Sequence, residues 1–352
     1  MLKLDEGLLA RNKESEILST YVAADRIEAN LRENAKLFAD LAGYIASYDP
    51  DRILLVGSGA SWCSTYTGWY FLRTASSLPA LHFFGPELIA DDPPVLREGR
   101  TLAIVSSYSG KTADTLAASE RLAAAGIPRI ALSKDEAGPL AAGCERVLPY
   151  RDKCLYTSAM ADLLSMLCSL IELRGEAGPA RELRAALERV PDQMRNIIPL
   201  AERRAMADLE RLAGDDFFYV LGDGALWALA YQFGYTNLTE YSRVDAASLR
   251  SCEWRHGPLE VMFRKPAMIH LVGTDRTRPW AEATRDYCAA NGGRLATWDA
   301  RDYFDTHPVL APFALHPVSQ LFLLYQSTSR GIGMDDYLEM HVKPYENGET
   351  YF

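Results

Sequence analysis

Two segments of the sequence concentrate the residue types that could hold a small anionic substrate. One is Ser106-Ser107-Tyr108-Ser109-Gly110-Lys111-Thr112, which follows directly on the apolar run TLAIVS (101–106). Short hydroxyls donate to phosphate oxygens, and a helix beginning there adds backbone amides and the positive end of its dipole. Helix capping alone asks for only one or two such residues, so the density favours an anion site. The other segment is VGSGASW (56–62). Gly57 and Gly59 begin the dinucleotide pattern GxGxxG, but Trp62 stands where the third glycine belongs, and the fingerprint fails. What remains is a tight strand–helix turn. It is either a plain turn or a cradle where Ser61 and the first helical amides meet an anion.

A second kind of chemistry needs a proton donor and acceptor. Glu240 closes the helical stretch ALWALAYQFGYTNLTE, and His256 follows sixteen positions later, before Gly257-Pro258, in a turn. A carboxylate and an imidazole together can remove and return protons near neutral pH. Read singly, a carboxylate at a helix end is ordinarily solvated, and a lone histidine is ordinarily structural. Their spacing alone does not join them. The six cysteines, at 63, 144, 154, 168, 252 and 288, form no CxxC pair. Neither a zinc ribbon nor a redox dithiol is expected, and the thiols read as reduced core residues. No cluster of metal ligands stands out, so neither a metal nor another cofactor is expected. Trp62, Tyr66, Trp69 and Tyr70 fall at helical spacing and read as core. Glu253 reads as a solvated loop acid, and His307 as a helix-start or interface residue. Arg255 and Lys111 could add charge near a phosphate but receive no role.

The elements that must position these residues follow from patterning. The chain has 352 residues, 48% hydrophobic and 24% charged, with a net charge of −10. That composition belongs to a globular chain of two to three domains. The acidic balance argues against nucleic-acid binding, which needs clustered Lys and Arg. The amino-terminal MLKLDEGLLARNKESE carries no long apolar run, so no secretory signal is expected. Uninterrupted apolar runs such as Leu321–Tyr325 are far shorter than the roughly 20 residues of a membrane span. A cytoplasmic protein without membrane contact is expected.

Residues 1–45 carry helical spacing. Then apolar runs of strand length alternate with amphipathic stretches: 52–57, 81–84, 101–106, 129–133 and 146–150. A polar, Arg- and Glu-rich helical connector covers 181–205. The alternation restarts at 216–222, continues through a long helical region from Ala225, and ends with 266–273 and 294–299. Strand–helix alternation is the mark of a doubly wound parallel sheet. The matching turns VGSGAS (56–61) and LGDGAL (221–226) suggest an internal duplication. The expectation is two tandem α/β domains, 46–180 and 206–352, after an amino-terminal helical segment.

GSGAS, SSYSGKTADT and RHGPLE together resemble the sugar isomerase (SIS) domain, a flavodoxin-like phosphosugar-binding fold, in tandem as in the isomerase half of glucosamine-6-phosphate synthase. THPVLAPF (306–313) is similar to the fructosamine-6-phosphate and glucoselysine-6-phosphate deglycases. The resemblance implies phosphate contacts at Ser61, Ser107, Tyr108, Ser109 and Thr112. It implies sugar contacts at Gly59 and Ser158, the latter in CLYTSA (154–159). It implies a catalytic Glu240, and a His256 that reaches the active site of a neighbouring subunit in a homodimer or larger homo-oligomer. Two departures stand out. Asn237 replaces the synthase lysine three positions before the glutamate, and no glutaminase domain or nucleophilic amino-terminal cysteine is present. The implied activity is cleavage of a 6-phosphorylated Amadori-type amino sugar to hexose 6-phosphate and an amino acid or amine. The alternatives are an aldose–ketose isomerase, an amino-sugar-6-phosphate deaminase, or a non-catalytic sugar-phosphate sensor.

Overall fold

Nine short strands form two parallel sheets in a computed structural model that describes residues 4–150, 156–212, 214–339 and 342–343. Sheet A holds β1 (Arg52–Gly57), β2 (Ala80–Phe84), β3 (Thr101–Ser106), β4 (Arg129–Ser133) and β5 (Arg146–Pro149). Sheet B holds β6 (Phe217–Leu221), β7 (Asp245–Leu249), β8 (Ala267–Val272) and β9 (Arg294–Asp299). Their spatial orders are β2-β1-β3-β4-β5 and β7-β6-β8-β9. In both sheets the first strand lies between the second and the third, so the connections reverse direction beside it. A ligand crevice opens at such a switch point, at the carboxyl ends of the strands. The doubly wound α/β class expected from the sequence is the class observed.

The described residues divide into two compact units. The sheet-A unit takes in Asp25–Glu188, with the described residues from Leu338 on, and the sheet-B unit takes in Arg189–Tyr337 with the amino-terminal residues up to Ala24. In the sheet-A unit, Ile53–Val56 and Leu102–Val105 are wholly buried, as strands covered by helices on both faces must be. Leu54, Val56, Ala103, Val105 and Ala131 pack there with Ala118 and Leu122 of the helix Ala113–Ala124. In the sheet-B unit, Phe218, Phe233, Trp298 and Phe322 meet at centroid distances of 5.5–6.1 Å. Each such side chain contributes about 1.5–3 kcal/mol by leaving water.

Two expectations are corrected here. The helical region expected from Ala225 ends at Tyr241, and a strand that the sequence does not suggest follows it. Helical segments run from Gly224 to Tyr241, including a π-helical stretch Gln232–Leu238, and then β7 pairs with β6 in the register Phe217↔Asp245 to Leu221↔Leu249. The sequence DAASL of β7 is small and polar because it is an edge strand, held by its neighbour more than by its own propensity. Nor are all apolar stretches short: one helix, with the turn before it (Pro308–Ser329), is long and apolar enough to cross a membrane. It is almost entirely buried within the sheet-B unit, packed on the helix Val190–Leu212, and forms that unit's core.

Candidate active site

The hydroxyl-rich segment lies where the sequence placed it, between β3 and the helix Ala113–Ala124. Ser107 is buried, and its Oγ accepts from the Gly110 amide at 3.1 Å and lies 3.0 Å from Thr112 Oγ1. Gly110 adopts φ +66°, a left-handed turn that glycine takes without cost. Ser109 is half-buried, and its Oγ accepts from the Lys111 amide at 3.1 Å. Thr112 occupies the amino-cap position of the helix with its hydroxyl turned back onto Ser107. The side chains thus close the loop into a cup at the carboxyl end of the sheet.

The turn after β1 faces this cup. Gly59 is left-handed at φ +52°, and the helix Gly59–Ala75 begins there. Ser61 Oγ accepts from the Tyr108 amide at 3.2 Å, so the two loops are joined at one hydroxyl. Tyr108 enters the cup through its backbone. Its phenol oxygen accepts from Lys134 Nζ at 3.2 Å, and its ring stacks on Tyr150. Ser58 Oγ, Ser106 Oγ and Thr115 Oγ1 are buried without a hydrogen-bond partner near this edge. Ser158, in the first turn of the helix Thr157–Leu173, is also buried with an unpartnered hydroxyl, while Cys154 and Leu155 of the same segment lie outside the described residues. Buried polar groups are seldom left unsatisfied. Hydroxyls and amides collected here suit a multiply charged oxyanion. Trp62 is core, stacked on Phe84 at 4.5 Å and on His82 at 4.5 Å. Burial pushes the His82 imidazole down to about 3, so it stays neutral.

Glu240 lies in the last helical turn, Thr239–Tyr241, just after the π-helical stretch. π-segments recur at functional sites because they re-aim the side chains beyond them. Gly234, within the stretch, approaches β6 so closely that a Cβ there would meet Val220 and Ser248. Asn237 is buried, with Oδ1 accepting from Thr236 Oγ1 at 3.0 Å. Glu240 is not a solvated helix end. It is partly buried, and burial raises its pKa above the ordinary carboxylate value, partly offset by a hydrogen bond from Tyr241. Tyr241 is buried, and burial followed by the Glu240 charge holds its phenol protonated far beyond pH 10. Tyr337 hydrogen-bonds Tyr241 and stands edge-on to it at 6.4 Å. Sequence reasoning missed Tyr241, because adjacent helical residues do not ordinarily face one another and no spacing flags them.

His256 sits on an exposed turn between the 3₁₀ segments Ser251–Glu253 and Pro258–Arg264, with Gly257 at φ +130°. Arg255 Nε donates to its Nε2 at 3.3 Å. The Glu253 backbone carbonyl accepts from the His256 amide at 2.9 Å. No hydrogen bond among the described residues joins His256 to Glu240. His307 caps the turn Pro308–Leu310, where its Nδ1 accepts from the Val309 amide.

Comparison with solved structures places the fold. The C-terminal domain of glucosamine-fructose-6-phosphate aminotransferase from Francisella tularensis superposes with a TM-score of 0.81, at 16% identity, over 92% of this chain and 98% of that one. A Bacillus subtilis protein described as a phosphosugar isomerase superposes with a TM-score of 0.76, at 22% identity, over 84% of this chain and 93% of that one. The chain has the sugar isomerase fold. Both of its sheets belong to that tandem architecture. In sequence, the chain is similar to fructoselysine 6-phosphate deglycase of Escherichia coli K12, 22% identical over 337 residues, 96% of this chain and 97% of the relative. No family model matches the chain.

Proposed function

We propose that this sugar isomerase fold carries a phosphosugar deglycase, which splits a 6-phosphorylated Amadori-type ketoamine into hexose 6-phosphate and an amino acid or amine. The observation that carries this reading is Glu240, a partly buried carboxylate with its pKa raised by burial and a tyrosine hydroxyl bonded to it. A base poised upward from the ordinary carboxylate range suits proton transfer at carbon. End-to-end similarity to a fructoselysine 6-phosphate deglycase supports the substrate class.

In the proposed reaction, the phosphate is anchored by the hydroxyls of Ser61, Ser109 and Thr112 and by the Ser109 amide, since the Ser107, Tyr108 and Gly110 amides donate within the protein. Ser107 shapes that loop, and Gly59 and Ser158 face the sugar. Binding energy from this remote group positions the reacting carbons. Glu240 takes a proton from C1 of the open-chain ketoamine, and the electron pair moves to give the enaminol. The proton returns at C2, which leaves an imine at C1. Water adds to the imine, and the C–N bond breaks to release aldose 6-phosphate and the amine. His256 of one copy assists ring opening in another, in a cytoplasmic homodimer. Its exposure on a turn leaves it accessible for such a role.

The test is an amine-release assay with 6-phosphorylated fructoselysine, fructose-asparagine and glucoselysine, reading glucose 6-phosphate through a coupled dehydrogenase. Turnover of one conjugate is expected, reduced roughly 10²–10⁴-fold in Glu240→Gln. Near-native turnover by that variant removes Glu240 from the mechanism. A silent panel, with interconversion of hexose 6-phosphates or ammonia release instead, replaces the deglycase with an isomerase or a deaminase.

A further inference from the structure

The turn that carries Glu240 is anchored through a segment that a remote helix holds in place. Asn12, near the end of the helix Glu6–Lys13, is buried. Its Nδ2 donates to Thr328 Oγ1 at 3.1 Å and to the Ile332 carbonyl at 3.0 Å, and its Oδ1 accepts from the Met334 amide at 2.9 Å. Both amide protons and the oxygen are used, as a buried asparagine requires. Ser15 Oγ donates to Asp335 Oδ1 at 2.6 Å, and Arg11 pairs with the Asp336 carboxylate at 2.5 Å. The segment Ile332–Asp336 is thus held along its length by residues far away in sequence.

That segment reaches the base. Arg243 Nη2 donates to the Asp336 carbonyl. Arg243 adopts φ +51°, a left-handed backbone uncommon outside glycine, which persists where the surroundings fix it. Ser242 Oγ lies 2.9 Å from Ser327 Oγ, and both residues are buried. Tyr337, the next residue of the held segment, stands edge-on to Tyr241 and hydrogen-bonds it. A phenol has one proton to give. When Glu240 is ionised, its carboxylate is the stronger acceptor and receives the hydrogen bond of Tyr241. The Tyr337 hydroxyl therefore donates to Tyr241, and hydrogen bonds in series strengthen one another. The charged groups facing Tyr337 are Glu240, Asp335 and Glu16.

We propose that Asn12 and Tyr337 are positioning residues for the base. Asn12 fixes the segment Ile332–Asp336, the segment sets the Tyr337 hydroxyl on Tyr241, and Tyr241 holds the Glu240 carboxylate. The proposal rests on the reading of Glu240 as the base, and the test separates the two.

The experiment is a carbon-13 NMR titration of the full chain labelled at the glutamate side-chain carboxyls, with the Glu240 resonance assigned by its loss in Glu240→Gln. It reads the carboxylate without turnover. In Tyr337→Phe, the Glu240 titration is expected to move toward neutral pH by roughly 0.1–0.7 pH unit, the equivalent of a 10–30% change in a charge-assisted hydrogen bond. Asn12→Ala is expected to move it the same way. Neither substitution moves it further in a Tyr241→Phe background, because both act through that hydroxyl. An unmoved titration in Tyr337→Phe overturns the proposal, and so does an Asn12→Ala shift that survives in Tyr241→Phe. If Asn12→Ala does not fold, Ser15→Ala, which frees Asp335 from the same clamp, must give the shift in its place, and an unmoved titration there overturns the proposal equally. With the shifts present, near-native turnover by Glu240→Gln overturns only the reading of Glu240 as the base, while the positioning of its carboxylate stands.

Discussion

The two units begin alike and then diverge. In the sheet-A unit, the strand, the left-handed glycine and the 17-residue helix Gly59–Ala75 run without interruption. The open turn is joined to the Ser107–Thr112 loop by the Tyr108 amide, which donates to Ser61 Oγ. In the sheet-B unit, the same turn is filled by Asp275, and the helix behind it breaks into a π-helical stretch that delivers Glu240. One turn is left open over its glycine; the other is filled by a carboxylate, and Glu240 lies further along the same helical run. The backbone is shared, and the difference in role lies in a few side chains and one helical irregularity. Fold alone therefore assigns no function, and the proposed one rests on side chains in the two units.

That division can be broken most strongly on the proton-transfer side. Glu240→Gln removes the base without touching the phosphate loop, so turnover falls roughly 10²–10⁴-fold while phosphosugar affinity stays near wild type. A matching loss of binding by calorimetry would show that Glu240 holds substrate instead. The binding side yields a smaller effect of the opposite kind. Ser109→Ala removes one charge-assisted hydrogen bond, worth roughly 1.5–3 kcal/mol, so KM rises about tenfold or more with a lesser change in kcat. Ser107→Ala adds a structural cost, because the Gly110 amide and the Thr112 hydroxyl lose their partner. Its thermal midpoint falls by more than that of Ser109→Ala, which removes only the acceptor of the exposed Lys111 amide. Equal midpoints for the two variants would refute this separation of loop shaping from ligand contact.

Acid sharpens the comparison further. Burial pushes His270 down to about 3 and His316 to about 4 in the sheet-B unit, and His82 to about 3 in the sheet-A unit. Each imidazole is neutral when folded and takes up a proton near pH 6.5 when unfolded. The stability it contributes is complete above pH 6.5 and is lost as pH falls toward the folded value. The loss is about 1.4 kcal/mol per pH unit for each histidine. With two such groups against one, amides of sheet B should lose exchange protection faster than those of sheet A between pH 6.5 and 4.5. Hydrogen exchange resolved by peptide reads this directly, and the reverse order would contradict it.

Much of this was legible in the sequence, for physical reasons. Central strands such as Ile53–Val56 are covered on both faces and read as unbroken apolar runs. The Ser107–Thr112 loop was visible because its density of hydroxyls exceeds what a plain helix cap needs. The edge strand β7 was hidden, since DAASL owes its conformation to pairing with β6. The π-helical stretch was hidden too, because its periodicity differs little from an α-helix over seven residues. Asp275 carries no signal in the sequence. Only the three-dimensional approach of the β8 loop to Gly224 shows what its carboxylate does.

The finest distinction concerns Tyr241. Its hydroxyl donates to Glu240 and lowers the carboxyl pKa, against the larger upward push of burial. Because the base must be ionised, the acid limb of kcat/KM lies above the ordinary carboxylate range in wild type. Tyr241→Phe removes the hydrogen bond and leaves burial in place, so the limb moves further toward neutral pH. At alkaline pH, where Glu240 is ionised in both proteins, their activities converge. A purely structural role for Tyr241 would lower activity equally at every pH and leave the limb where it was. The direction of that shift therefore distinguishes a residue that tunes the base from one that merely packs beside it.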